Sequence, residues 1–250
     1  MLVQPYLNRI GIDKIKTPSL EFLTELQNRH LLSVPFENLD IPEKRIVLDL
    51  ERIYEKIIPT KRGGFCYELN GLFHWLLTSL GFKVDILSAR VFNSQKNEFG
   101  PEFDHMTLLV QFPKIDKYYL ADVGFGDSFR TPIEIYSGEV EDISGHFRIK
   151  RGNNVSVLQV ENENGWIPQY SFSLLPRKFS DFKEMCDFQQ DDPASHFRNN
   201  KICTIATKPG RITLSDSTFT ITEGKSKNKT AVESREEFNV YLKNNFDIVL

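Results

Sequence analysis

The chain has 250 residues, with 31 basic and 34 acidic side chains and a formal net charge of −3. That length supports one large domain or two to three small ones around a real core, and the near-neutral balance excludes the charge footprint of a nucleic-acid or membrane-surface binder. Three widely spaced cysteines, Cys66, Cys186 and Cys203, form neither a disulfide framework nor a zinc pattern. With no signal-type leader and no apolar run of membrane-spanning length, the expectation is a cytoplasmic protein in a reducing compartment, without a metal.

In chain order, the first third reads as helical. In "TPSLEFLTELQNRHLL", Thr17 reads as an N-cap and Pro18 as the first helical residue, with Leu20, Leu23 and Leu26 at helical spacing. "DLERIYEKIIP" follows, with Asp49 as cap, Ile53 and Ile57 on one face and Pro59 as stop. A third helix starts near Cys66 and carries a Leu69, Phe73, Leu76, Leu77 and Leu80 stripe up to Gly81. From Lys83 the period changes: "KVDILSARVF", "HMTLLVQF", "YYLADVGF", "HFRIKR", "VSVLQVEN" and "WIPQYSFS" read as short strands between turn residues, which predicts an antiparallel sheet or barrel. Residues 178–189 read as a short helix. "KICTIAT", "RITLS" and "STFTIT" return to strand, and "SREEFNVYLKNNF" closes as a helix with Ser234 and Glu237 at capping-box spacing. The 20 phenylalanines read as core or as a partly aromatic pocket. "GKSKNK" at 224–229 reads as a solvated hairpin turn in preference to a phosphate site.

Cys66 stands at a helix N-terminus just after Gly63 and Gly64. Unpaired N–H groups there favour thiolate over thiol, so the expectation is a lowered thiol pKa and a nucleophile with the glycines clearing its approach. The competing reading is a small buried hydrophobe. A nucleophile needs a base. His74 lies about 12 Å further along the same helix, beside its apolar stripe. His30 ends a helix, where a cation is favourable, and His146 and His196 have no carboxylate in a clear pairing position. His105 opens the strand "HMTLLVQF". If the turn "PKIDK" joins it to "YYLADVGF" as a hairpin centred near residue 114, His105 falls opposite a residue close to Asp122 or Val123. Direct and diagonal partners in a hairpin lie roughly 4.5–5.5 and 7–8 Å apart. Asp122 can then orient the His105 imidazole; otherwise Asp122 is a turn residue and His105 a polar strand end. Cys186 and Cys203 read as buried and inert.

The segments "SVPFENLDI", "RGGFCYELNGLF", "FDHMTLLV" and "YLADVGFG", in this order over residues 33–126, resemble the arylamine N-acetyltransferases. The resemblance implies a three-part α+β fold with a cysteine-protease-like catalytic core. Its parts are an N-terminal helical bundle with the catalytic Cys (1–83), a central antiparallel β-barrel with the catalytic His and Asp (84–195), and a C-terminal α/β lid (196–250). It implies acetyl-CoA as donor and an arylamine, hydrazine or arylhydroxylamine as acceptor, as in xenobiotic metabolism. Acetyl would pass by a ping-pong route through acetyl-Cys66, with His105 as base and Asp122 as orienter. By motif, Phe125, Phe36 and Val91 would line the acceptor pocket, while Arg62, Glu68 and Asn70 would hold the cysteine loop without a catalytic role. The expected assembly is a monomer or weak homo-oligomer.

Two departures from the family pattern stand out. The C-terminal part looks short. "GPEFDH" places Glu102 and Asp104 ahead of His105 where relatives often carry small or neutral residues, and this acidic pair is expected to disfavour anionic acceptors. The same triad also serves hydrolases such as cysteine peptidases or thioesterases. A transglutaminase-like enzyme and a non-catalytic binding scaffold are the other readings.

Overall fold

The computed structural model describes residues 1–41, 43–112, 116–136 and 138–250. Helices α1 (Val3–Arg9) and α2 (Leu20–Ser33), the short strand β1 (Phe36–Glu37), and helices α3 (Leu50–Ile57) and α4 (Cys66–Ser79) come first. Strands β2 (Lys83–Asn93), β3 (Glu98–Phe99), β4 (His105–Gln111), β5 (Tyr118–Ala121), β6 (Ile133–Glu134), β7 (Glu139–Asp142), β8 (Gly145–Arg151), β9 (Ser156–Asn162) and β10 (Gly165–Arg177) follow. A 3₁₀ turn at Phe179–Phe182 leads into α5 (Lys183–Asp191) and α6 (His196–Asn199). The chain ends with β11 (Ile202–Thr207), β12 (Gly210–Ser215), β13 (Thr218–Glu223), β14 (Ser226–Ala231) and α7 (Arg235–Phe246).

The α+β expectation holds. Eight antiparallel strands run in the order β6-β5-β4-β2-β10-β9-β8-β7, with β3 paired to β2, and the terminal strands β6 and β7 touch to form a nearly closed barrel. The C-terminal sheet has the order β1-β11-β12-β13-β14, so a two-residue strand from the helical part forms its first edge. Helix α4 lies between bundle and barrel. Its Leu69, Phe73, Leu76 and Leu77 are fully buried and share one cluster with Phe22 and Leu26 of α2 and with Met106, Leu108 and Val110 of β4. Each such side chain contributes roughly 1.5–3 kcal/mol by burial, which fixes the rotation of α4 and hence the direction of its first turn.

Local chemistry departs from the sequence reading in several places. The N-cap of α2 is Ser19, whose Oγ accepts from Phe22 N at 3.2 Å, so Thr17 and Pro18 lie before the helix. Asp49 caps α3 as expected, accepting from Arg52 N at 3.0 Å. In the last helix Ser234 accepts from Glu237 N, but the Glu237 carboxylate turns to Glu233 N and so closes no box with the cap itself. Strand β10 carries two prolines, and a register shift lies beside each, against β9 after Pro168 and against β2 before Pro176. Proline has no N–H to give a ladder, so it sits at bulges. Strand β5 stops at Ala121, earlier than "YYLADVGF" suggests, because the next backbone donors turn to side chains: Asp122 N to Gln27, Val123 N to Asn70 and Gly124 N to Asp122 itself. Of the expected turn "PKIDK", residues 113–115 lie outside the described residues. Among the described residues no helix is long and apolar enough to cross a membrane.

Candidate active site

Cys66 is the first residue of α4, and the approach to it is set by an ion cluster beneath. Glu68 accepts from the Phe65 backbone N at 3.1 Å, satisfying a donor at the helix start, and is itself held by Lys56 Nζ at 3.0 Å. Lys56 also meets Asp40 at 2.9 Å, and Arg62 bridges Glu37 and Asp40, both at 2.9 Å. Arg62 and Glu68 therefore hold the cysteine loop. The glycines act differently from the expectation. A Cβ on Gly63 would fall 2.0 Å from the Pro35 carbonyl oxygen, and one on Gly64 would strike Glu68. They admit the neighbouring chain; they do not clear the sulfur. The glycine that lies against the cysteine is Gly124, where a Cβ would sit 2.9 Å from Cys66 Cα and 2.6 Å from Asn70 Nδ2.

His105 begins β4. The β4–β5 register pairs Leu108 with Ala121, and its extension makes Asp122 the diagonal partner of His105. The contact is direct: His105 Nε2 lies 2.7 Å from Asp122 Oδ2. That assigns the proton to Nε2 and leaves Nδ1 as the basic nitrogen. Asp122 also accepts from Tyr170 Oη at 3.0 Å, and from Asn70 Nδ2 and Gly124 N at 2.9 Å each. Burial alone would raise this carboxyl, but the His105, Asn70 and Gly124 donors hold it below the ordinary carboxylate range.

The thiol contradicts the expected lowering. Burial pushes the Cys66 thiol well up, Asp104 and Asp122 push the same way, and only the Tyr67 backbone N–H opposes. A lone thiolate is thus disfavoured here, because desolvation outweighs the helix-end field.

Cys66 and His105 share one cavity of about 820 Å³, with Phe36, Val91, Gly124 and Phe125 also in its wall. Phe125 meets the His105 ring edge-on with centroids 5.1 Å apart. All three residues expected to line a pocket therefore lie on the cavity that holds the thiol. The expected acidic pair splits. Asp104 lines the cavity, whereas Glu102 faces Ser88, Arg90 and Arg177.

Other histidines differ from expectation. His30 is no helix-end cation: it is buried with Nδ1 2.8 Å from Tyr6 Oη, and its pKa is pushed down to about 3 by burial and then by Arg9. His146 does have carboxylate partners, Glu161 at 2.8 Å and Glu139 at 3.5 Å, brought by cross-strand pairing. Cys186 and Cys203 are buried, and burial pushes Cys186 up to about 12.

Asn70 does more than the loop-holding expected of it, and three further contributors escaped the sequence reading. Asn70 donates to both Met106 O, at 2.6 Å, and Asp122, and accepts from Val123 N at 2.9 Å, tying α4 to β4 and to the segment after β5. Its signal was present: Cys66 and Asn70 are one helical turn apart and share a face. Gln27, Tyr170 and Gln189 reach the site from distant segments and left no local signal.

A helix-tip cysteine and a histidine–carboxylate pair on one cavity of an α+β scaffold are the arrangement of enzymes that turn a thiol on acyl groups. The chain belongs to the arylamine N-acetyltransferase family: a family model described as N-acetyltransferase matches residues 19–250. The pineal gland isozyme NAT-10 of Gallus gallus, an arylamine N-acetyltransferase, is 35% identical over 277 residues, covering 100% of this chain and 95% of that protein. The arylamine N-acetyltransferase of Bacillus cereus, described with a Cys-His-Glu catalytic triad, superposes with a TM-score of 0.91 at 25% identity over 100% of both chains. That of Mycobacterium marinum in complex with CoA superposes with a TM-score of 0.90 at 28% identity, covering 99% of this chain and 93% of that one. The chain is thus an N-acetyltransferase of this family, a transferase by class.

Proposed function

We propose that this transferase moves acetyl from acetyl-CoA to an arylamine, hydrazine or arylhydroxylamine by a ping-pong route through Cys66. His105 Nδ1 takes the thiol proton as sulfur attacks the thioester carbonyl. The tetrahedral intermediate collapses with loss of the CoA thiolate, which His105 protonates. Acetylation also removes the unfavourable buried charge, since a thioester is neutral where a thiolate is not. The acceptor nitrogen then attacks the acetyl-cysteine, loses its proton to His105, and returns Cys66 as the thiol. Asp122 orients the imidazole and compensates its positive charge. As the first helical residue, Cys66 has an N–H without an intrahelical acceptor, and this N–H is our candidate oxyanion donor.

The observation that carries this reading is the common cavity of Cys66 and His105, with Asp122 on the far nitrogen of the imidazole. The CoA complex of the Mycobacterium marinum relative supports the choice of donor. Phe125, Phe36 and Val91 are the proposed acceptor wall. Residues 1–83 would carry the nucleophile, 84–195 the base and its orienter, and 196–250 the lid. Three free thiols fit a reducing cytoplasm.

The test is intact-protein mass after mixing with acetyl-CoA alone, followed by peptide mapping. One acetyl group on Cys66, discharged by an added arylamine, is the expected result. Steady CoA release with no adduct would instead indicate a hydrolase, and neither adduct nor release would overturn the donor assignment. In steady state, Cys66→Ala should abolish transfer and Asp122→Asn should cripple it.

A further inference from the structure

Acetyl exchange leaves one charge in the cavity unused. Besides the Cys66 thiol, the ionisable side chains of its wall are Lys96, Glu98, Asp104, His105 and His196. Lys96 and Glu98 face each other at 3.9 Å with exposed side chains, so their charges offset in solvent. His105 is engaged by Asp122. Among the described residues Asp104 forms no salt bridge, and its side-chain hydrogen-bond partner is Gln189.

Its position is built. Asp104 Oδ1 accepts from Gln189 Nε2 at 2.9 Å, and Gln189 Oε1 lies 2.9 Å from Ser195 Oγ. Gln189 and Ser195 are 6% and 2% exposed, so α5 and the segment after it hold the carboxylate from outside the barrel. Gly100 leaves the space that Oδ2 occupies, since a Cβ there would approach it to 2.6 Å. Burial pushes the Asp104 carboxyl up, while His105, the Val91 backbone and Gln189 act the other way. After burial, Asp104 is also the largest influence raising the Cys66 thiol, so its field reaches the reacting sulfur. The cavity wall also carries the rings of Phe36, Phe92, Phe125, Phe188 and Phe197.

We propose that Asp104, positioned by Gln189, is a specificity-determining residue that selects acceptors by charge. It favours arylamines or hydrazines bearing a second, cationic group and disfavours those bearing a carboxylate. The inference rests on the acetyl-transfer reading above. Because Asp104 and Cys66 line the same cavity, a charged substituent on a ring attacking acetyl-Cys66 shares that enclosure with the carboxylate. At an effective dielectric between protein and water, such a pair of charges is worth roughly tenfold in kcat/KM in either direction.

The experiment measures kcat/KM with acetyl-CoA for 4-aminobenzamide, 4-(aminomethyl)aniline and 4-aminobenzoate, in the native enzyme and in Asp104→Asn. Comparing each amine between the two proteins cancels its intrinsic nucleophilicity. Relative to the neutral amide, the variant should gain about tenfold toward the carboxylate and lose about tenfold toward the aminomethyl amine. Asp104→Glu should retain the native order. If Asp104→Asn does not fold, Asp104→Ser makes the same comparison. Ratios unchanged within twofold, with the amide still acetylated, would overturn the inference and leave the acetyl-transfer reading standing. Failure of the native enzyme to acetylate the amide would overturn both.

Discussion

Asn70→Ala separates a structural asparagine from one that positions the catalytic pair. The side chain is fully buried and makes three hydrogen bonds: to Met106 O, to Asp122 Oδ1 and from Val123 N. Truncation leaves the Val123 N–H without its acceptor, at about 1–3 kcal/mol, and removes one donor each from Met106 O and Asp122, at about 1 kcal/mol apiece. The expected loss is about 3–5 kcal/mol of unfolding free energy, read from urea denaturation at pH 7. Asp122 also loses a donor that holds it ionised, so its carboxyl should rise and its support for the imidazolium weaken. Single-turnover acetylation of Cys66, measured on the folded fraction, should fall by about one to two orders of magnitude. A stability loss below about 1 kcal/mol would refute the bond accounting. A large stability loss with native acetylation rates would make Asn70 a purely structural tie.

Four further outcomes follow. The unfolded chain binds a proton at His30 below about pH 6.5, whereas the folded chain does so only near about pH 3. This contribution to stability is therefore full above that upper value and lost as pH falls, by about 1.4 kcal/mol per unit. His30→Gln, which keeps an acceptor for Tyr6, should flatten urea-derived stability between pH 6 and 4; an unchanged slope would show that His30 is protonated in the native state. Tyr170→Phe, which removes one donor from Asp122, should reduce acetylation about tenfold with a smaller stability loss than Asn70→Ala; equal activity would remove Tyr170 from the support of Asp122. Alkylation of the native enzyme should modify Cys66 alone by peptide mass, since Cys186 and Cys203 are buried outside the catalytic cavity; early labelling of Cys186 would contradict its packing. Charge reversal at Lys225, Lys227 and Lys229 should leave the Michaelis constant for acetyl-CoA unchanged. Lys225 is in the β13–β14 turn and the other two lie on exposed β14, four strands and about 19 Å from β1 and its Phe36.

Much of the site was legible because its key relations are local. A cysteine after a glycine pair announces a helix tip, and the spacing of His105 and Asp122 announces a hairpin. What was illegible depends on enclosure or on distant chain. The helix end alone favours a low Cys66 pKa, and the burial that reverses it comes from the packed fold. His30 ends a helix, where a cation is favourable, yet Tyr6 and Phe73 pack around it and exclude the charge. Asp104 and Glu102 are neighbours in sequence, yet one faces the cavity and the other Arg177, which only the packed barrel decides. The sequence pattern continued β5 through Asp122; Gln27 and Asn70 end it by taking the next two backbone donors.

The pairing of Phe36 with Thr204 and of Glu37 with Cys203 sets an order of events during synthesis. On a ribosome Cys66, His105 and Asp122 emerge while the strand that flanks β1 is still unmade. Glu37 N also bonds Gly64 O, so the same two residues brace the loop ahead of Cys66. An incomplete nascent chain can assemble the thiol and the imidazole, but it lacks the last buttress of the cavity wall. A premature stop before β11 should therefore yield a chain that contains Cys66, His105 and Asp122 but whose cavity wall at Phe36 lacks its neighbouring strand.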